Sequence, residues 1–143
     1  MPYWIIGQDA EPELKALYDR HYSARKYKDG RQPKKFIGPG EYILLTLPNR
    51  QALFVWRKFR DDSGQKGINC SIFRNESDIL SSDLIREADA IADFCWPGER
   101  HYTYVRASAV KSRNPGFCFL QAGWKRCGHT KAGLVILERI VGM

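Results

Sequence analysis

His21 and Tyr22, followed at once by a run of cations, are the residues whose types and spacing most suggest chemistry. A neutral imidazole can ligate a metal ion or accept a proton near neutral pH. A tyrosine beside it can orient a substrate amine or stack on a planar base. The bland alternative stands next to this: His21 falls at helical spacing with Leu14, Leu17 and Tyr18, so it is equally a core histidine, and Tyr22 is equally a packed helix end. The cations are Arg25, Lys26, Lys28, Arg31, Lys34 and Lys35 against Asp29, a net +5 in eleven residues. Gly30 and Pro33 break this segment, which reads as a basic loop.

A second basic stretch, from Arg100 to Lys131, holds seven cations and no acid, within a chain of net charge +7. The acids gather instead in Asp78, Asp83, Glu87, Asp89 and Asp93. The expectation is one basic side, suited to the phosphates of DNA or RNA, and one acidic helix. Solvated lysines on an ordinary basic protein are the other reading. Asp61-Asp62-Ser63-Gly64 reads as a turn. Cys70, Cys95, Cys118 and Cys127 match no zinc spacing and are expected as buried free thiols.

These residues need elements to position them. With 143 residues and 43% hydrophobic content, the chain suits a single domain, 1–143, with its own core. No apolar run is long enough for a membrane span and no signal peptide is visible, so a soluble intracellular protein without a membrane partner is expected. Tyr3 to Ile6 predicts a short strand, and Asp9 or Glu11 with Pro12 opens a helix to about Tyr22. Glu41 to Leu47, Gln51 to Arg60 and Ile68 to Arg74 predict three successive antiparallel strands. Ser81-Ser82-Asp83 caps a helix ended by Trp96-Pro97-Gly98, and His101 to Ala107 is the next strand. Phe117, Leu120 and Gln121 form a short helix closed by Gly123, before strands starting at Trp124 and at Leu134. The expected order is β-α-β-β-β-α-β-α-β-β.

The stretch from Asn114 through Ala122-Gly123-Trp124 resembles the C-terminal signature of the GNAT acyltransferases, in which an Asn opens a helix ending in Ala-Gly-Phe or Ala-Gly-Trp before the last two strands. The resemblance implies an α+β fold: a central mixed, mostly antiparallel twisted sheet flanked by helices. It also implies an acetyl-CoA site between the strands ending near Ile72 and Ala107, with Asn114 and Phe119 on the pantetheine side. Family members seat the CoA pyrophosphate on a glycine-rich helix start. Here that region is Arg74 to Asp83; it lacks the glycines, and Leu80, Ser81 and Ser82, with Arg74, would take their place. A plain serine cap with an acidic first turn explains the same residues. Arg74 and Glu76 fall where the family's sheet splays, so Glu76 would be a general base and Arg74 a phosphate or carboxylate ligand, or the two form only an exposed ion pair.

Together with Asn69 to Glu76 and His21-Tyr22, the same phrase is similar to the Mom DNA-modification proteins of Mu-like phages, a divergent GNAT branch. That resemblance implies conversion of adenine in double-stranded DNA to an N6-carbamoylmethyl-type derivative in the bacterial cytoplasm, protecting phage DNA from restriction. It implies an acyl-CoA donor, and iron, for which His21 would be the ligand. His21, Tyr22, Arg74 and Glu76 would flank the reacting atoms, and the Arg25 to Lys35 cations would hold DNA. An N-acetyltransferase for a small amine or protein lysine, and a non-catalytic DNA-binding module, are the two rival expectations.

Overall fold

The structure is a computed structural model that describes residues 2–21, 24, 29–31, 33–106 and 116–140. The elements are β1 (Ile5–Ile6), α1 (Pro12–Asp19), β2 (Glu41–Thr46), β3 (Ala52–Lys58), β4 (Ile68–Asn75), α2 (Ser81–Cys95), β5 (His101–Val105), α3 (Phe117–Gln121), β6 (Lys125–His129) and β7 (Val135–Arg139). The order is the one the periodicities predict. All seven strands form one open sheet, β1-β2-β3-β4-β5-β7-β6, antiparallel except where β4 and β5 run parallel. No described helix is long and apolar enough to cross a membrane.

The helices cover both faces of this sheet because its central strands are apolar on both sides. Leu53 and Val55 of β3 pack with Leu14, Leu17 and Tyr18 of α1, whereas Ala52, Phe54 and Trp56 pack with Leu84, Ile85, Ala88 and Ala92 of α2. Phe119 of α3 joins the α2 side. Alternation along β3 is thus read out as two cores.

β4 breaks this alternation. Val55 of β3 pairs with Ile72 but Trp56 pairs with Cys70, so Ser71 is an extra residue that bulges from the ladder. Ile68 and Cys70 therefore face α2, while Ile72, which shares their parity, faces α1. The bulge re-aims everything after it: Arg74 and Glu76 come out on the α1 side.

Several ends differ from the expectation, each for a local hydrogen-bonding reason. α1 stops at Asp19 and not near Tyr22, since the chain tightens there, with Arg20 N–H bonding the Leu17 carbonyl at 3.2 Å and His21 N–H the Tyr18 carbonyl at 2.9 Å. β1 is only two residues long because the Glu87 carboxylate of α2 captures the amides of Tyr3 and Trp4, at 2.8 and 2.7 Å, before they can join the ladder. β6 begins after Trp124, whose N–H caps α3 on the Phe119 carbonyl at 3.0 Å. Gly123 has φ +98°, the left-handed cap expected of it. Leu134 is held in the turn, its N–H on Thr130 Oγ1 at 3.1 Å, so β7 starts at Val135. All four cysteines are free, but only Cys70 is fully buried; Cys95 and Cys127 are exposed, on the last residue of α2 and on edge strand β6.

Candidate functional site

β4 and β5 pair over only three residues each, Ile68 to Cys70 against His101 to Thr103, and Thr103 Oγ1 closes the ladder on the Cys70 carbonyl at 2.8 Å. Beyond that point the two central strands no longer pair, and the sheet has an internal opening. On its α1 side lies a cleft of about 1030 Å³, lined from α1 by Tyr18 and His21, from the following segment by Arg31 and Lys35, and from the sheet by Arg57, Ser71 and Tyr104. That is the size of a small-molecule site.

At one end stands His21. Its imidazole hydrogen-bonds the Phe73 backbone, yet burial and then the nearby Arg74 charge pull its pKa down to about 4, so the ring is neutral at physiological pH. Behind it, Glu76 is clamped between two guanidiniums. Arg20 donates Nε and Nη2 to Oε2 and Oε1, both at 2.8 Å, and Arg74 donates Nε to Oε2 at 2.7 Å and Nη1 to the Arg20 carbonyl at 3.0 Å. The two arginines hold the Glu76 pKa at about 2. A carboxylate so stabilised is a weak proton acceptor, and in this structure Glu76 orders Arg20 and Arg74. The ion pair given as the alternative is present, widened by Arg20.

At the other end, the Asp61 carboxylate receives the hydroxyls of Tyr102 and Tyr104, both at 2.7 Å on Oδ2, and the Ser63 N–H on Oδ1 at 2.8 Å. The turn that the sequence indicates is there, with Gly64 N–H on the Asp61 carbonyl at 2.9 Å. The carboxylate does more than close it. Burial works against its charge, but the two phenols and Ser63 outweigh that and lower its pKa, while both tyrosines are raised, first by burial and then by Asp61. The signal was available as Tyr102 and Tyr104 at i, i+2, which places both hydroxyls on one strand face.

The other expected site residues fall elsewhere. Leu80 is exposed ahead of α2; Ser81 Oγ accepts a hydrogen bond from Asn75 Nδ2 at 2.9 Å; Ser82 is buried, 5% exposed. Asn75 also donates to the Ile79 carbonyl at 2.7 Å and accepts the Ser77 N–H at 2.9 Å, so this loop satisfies its own polar groups. Phe119 is a core residue, edge-on to Phe73 and 4.8 Å from the Trp124 ring centre. The seat expected for a CoA pyrophosphate is thus largely taken up by internal bonds, and Phe119 is part of the α2-side core. Arg31 and Lys35 line the cleft, and Lys34 is exposed next to it. Tyr22, Arg25, Lys26, Lys28 and Asn114 lie outside the described residues.

For iron, His21 supplies one neutral donor, but its charged neighbour is the Arg74 cation and the adjacent carboxylate is committed to two arginines. Among the described residues, no three His, Cys, Asp or Glu side chains converge on a point that could hold a metal. The described residues do not fit that group.

A second cluster went unread in the sequence. On the α2 side, His101 Nδ1 lies 2.7 Å from Asp89 Oδ1, Trp124 Nε1 donates to Asp89 Oδ2 at 2.9 Å, and Arg139 bonds Asp93 at 3.1 Å. His101 Nε2 is 3.3 Å from Asp93 Oδ1, an ion-pair approach that is off the geometry of a hydrogen bond. His101 is fully buried between the Trp56 and Trp124 rings, so this network braces β5, β6 and β7 on α2 and is out of reach of a substrate.

Compared with protein-family models, with curated proteins and with solved structures, the chain finds no match.

Proposed function

We propose that the protein is a GNAT-like DNA-modifying enzyme of the Mom type, which takes an adenine into the cleft and alters its N6 amine to a carbamoylmethyl-type group. The observation that carries this reading is the meeting, at one opening beside the parted β4 and β5, of a neutral His21 with aromatic Tyr18 and Tyr104 and with cationic Arg31 and Lys35. Duplex DNA buries the N6 amine in its stack, so an enzyme must extrude the base, receive it among flat side chains and hold the backbone with cations.

In this reading N6 bonds to the donor's carbon as the donor's leaving group departs with its electron pair, and His21 accepts the proton that N6, made acidic by the new bond, gives up. A pKa of about 4 leaves the imidazole unprotonated at neutral pH, a weak acceptor that suffices only for the acidic proton of the N6 that has bonded to carbon. The Arg20, Glu76 and Arg74 cluster holds the ring in place and keeps a positive charge behind it. An acyl-CoA-related donor would supply the activated carbon when bound. Protection of DNA is the test: plasmid recovered from cells expressing the protein resists endonucleases that cut at adenine-containing sites, and full cleavage would refute the reading.

The engaged Ser81 and the buried Ser82 favour a second reading, a DNA-binding module that has kept the fold without the cofactor. It predicts salt-dependent DNA binding with intact, unmodified bases.

A further inference from the structure

Arg57 sits one residue from the end of β3 on the α1 side, opposite Asn69 of β4, and its side chain forms part of the cleft wall. Its guanidinium is fixed on three sides. The carbon centre lies 4.0 Å over the Phe59 ring, Nη2 donates to the Pro39 carbonyl at 2.7 Å, and the backbone of Gly38 presses so closely that an added Cβ would stand 2.8 Å from Nη2 and 3.0 Å from Cζ.

What this rigid fork lacks is an anion. Its Nε is buried with no hydrogen-bond partner, and no carboxylate of the described residues lies within the 4.0 Å of an ion pair. The arginines around it are different: Arg20, Arg74 and Arg100 each hold a carboxylate, at 2.8, 2.7 and 2.6 Å. Asp61 acts on Arg57 from a distance but spends Oδ2 on Tyr102 and Tyr104. A partly buried guanidinium without a counter-ion is costly, and the cost falls when an oxyanion enters. Burial draws the Arg57 pKa down, the mark of that unmet charge.

We propose that Arg57 is the anchor for a phosphate group entering the cleft. The guanidinium is planar and always charged, suited to phosphate oxygens, and its fixed position removes the ordering cost that a free surface arginine would carry. Arg31, Lys35, Arg60 and Arg106 line the same cleft and add to its attraction for an anion. This inference rests on the reading of the α1-face cleft as the substrate site. The phosphate can belong to a nucleic-acid strand or to a free nucleotide-type molecule such as coenzyme A.

The test uses the full chain and the variants Arg57→Gln, Arg57→Lys and Gly38→Ala, the last leaving Arg57 in place while crowding its guanidinium. Binding is measured for a short fluorescein-labelled duplex by anisotropy, and for deoxyadenosine 5′-monophosphate, deoxyadenosine and coenzyme A by calorimetry. The expected result is a loss of roughly tenfold or more in affinity for the phosphate-bearing probes in Arg57→Gln and Gly38→Ala, with less loss in Arg57→Lys and none for deoxyadenosine. Loss confined to the duplex and the monophosphate assigns the phosphate to nucleic acid. Loss confined to coenzyme A upholds the anchor and contradicts the DNA reading. Unchanged affinity in both variants, or no binding of any phosphate probe by the parent protein, overturns the anchor. Should Arg57→Gln fail to fold, Gly38→Ala and Arg57→Lys decide.

Discussion

Arg20 and Glu76 meet in a two-point ion pair, Nε to Oε2 and Nη2 to Oε1 both at 2.8 Å, that ties the residue after α1 to the residue after β4. His21 is the next residue in the chain, so this tie sets where the imidazole stands. Arg74, bonded to both Glu76 and the Arg20 carbonyl, completes a frame that holds His21 neutral.

The frame makes a titration prediction. The folded pKa of His21, about 4, lies below its ordinary 6.5, so its contribution to stability is fully present above pH 6.5 and lost as pH falls toward 4. Glu76 behaves alike between 4.5 and about 2. Arg74→Gln removes the second cause of the His21 shift and leaves burial, so the pKa of His21 rises but stays under 6.5. Ring-proton NMR of His21 against pH checks this; an unmoved midpoint would separate Arg74 from His21.

Asp89 serves two buried donors at once, His101 and Trp124. Asp89→Ala leaves both without their partner inside the α2-side core and is expected to cost about 3 kcal/mol of stability. Urea unfolding measures it. A loss under about 1 kcal/mol would mean that water replaces the carboxylate.

Gly67, just before β4, has φ +123°, and a Cβ there would lie 2.1 Å from the Arg100 carbonyl oxygen. That carbonyl accepts the Ile68 N–H at 2.7 Å, the first link between β4 and β5. Gly67→Ala is therefore expected to destabilise by more than about 2 kcal/mol and to loosen the parallel junction beneath the cleft. Hydrogen exchange at Ile68 and Cys70 reports the junction directly; protection equal to the parent's would contradict it.

Lys34 and Lys35 are exposed at the cleft's basic border. If both contact phosphates, Lys34→Ala with Lys35→Ala reduces the slope of log affinity against log salt by about 1.8. Anisotropy across a salt series measures the slope, and an unchanged value removes this pair from the DNA surface.

Element order was legible because the apolar and β-branched runs of the strands and the apolar stripe of α2 are local signals. The Asn114 phrase placed α3, its Gly123 cap and the last two strands. The bulge was not legible. Strict alternation puts Arg74 on the face of Ile68 and Cys70, and only the extra Ser71 turns it toward α1. Asp61 read as a turn because its partners, Tyr102 and Tyr104, lie more than forty residues away. Arg57 was one cation among several in Arg57 to Arg60, and nothing local marks it as the one pressed between Gly38 and Phe59. Glu76 was read as a base from its place where the family's sheet splays, with an Arg74 ion pair as the alternative; Arg20, fifty-six residues earlier, is a partner that no local pattern shows.

The central claim is tested most directly by mass spectrometry of nucleosides from plasmid DNA recovered from cells that express the protein, beside a folded His21→Ala control. The expected result is a mass-shifted deoxyadenosine with the parent protein, with a shift matching a carbamoylmethyl-type addition, and its loss in the control. Unmodified nucleosides from cells containing soluble, folded protein would contradict it.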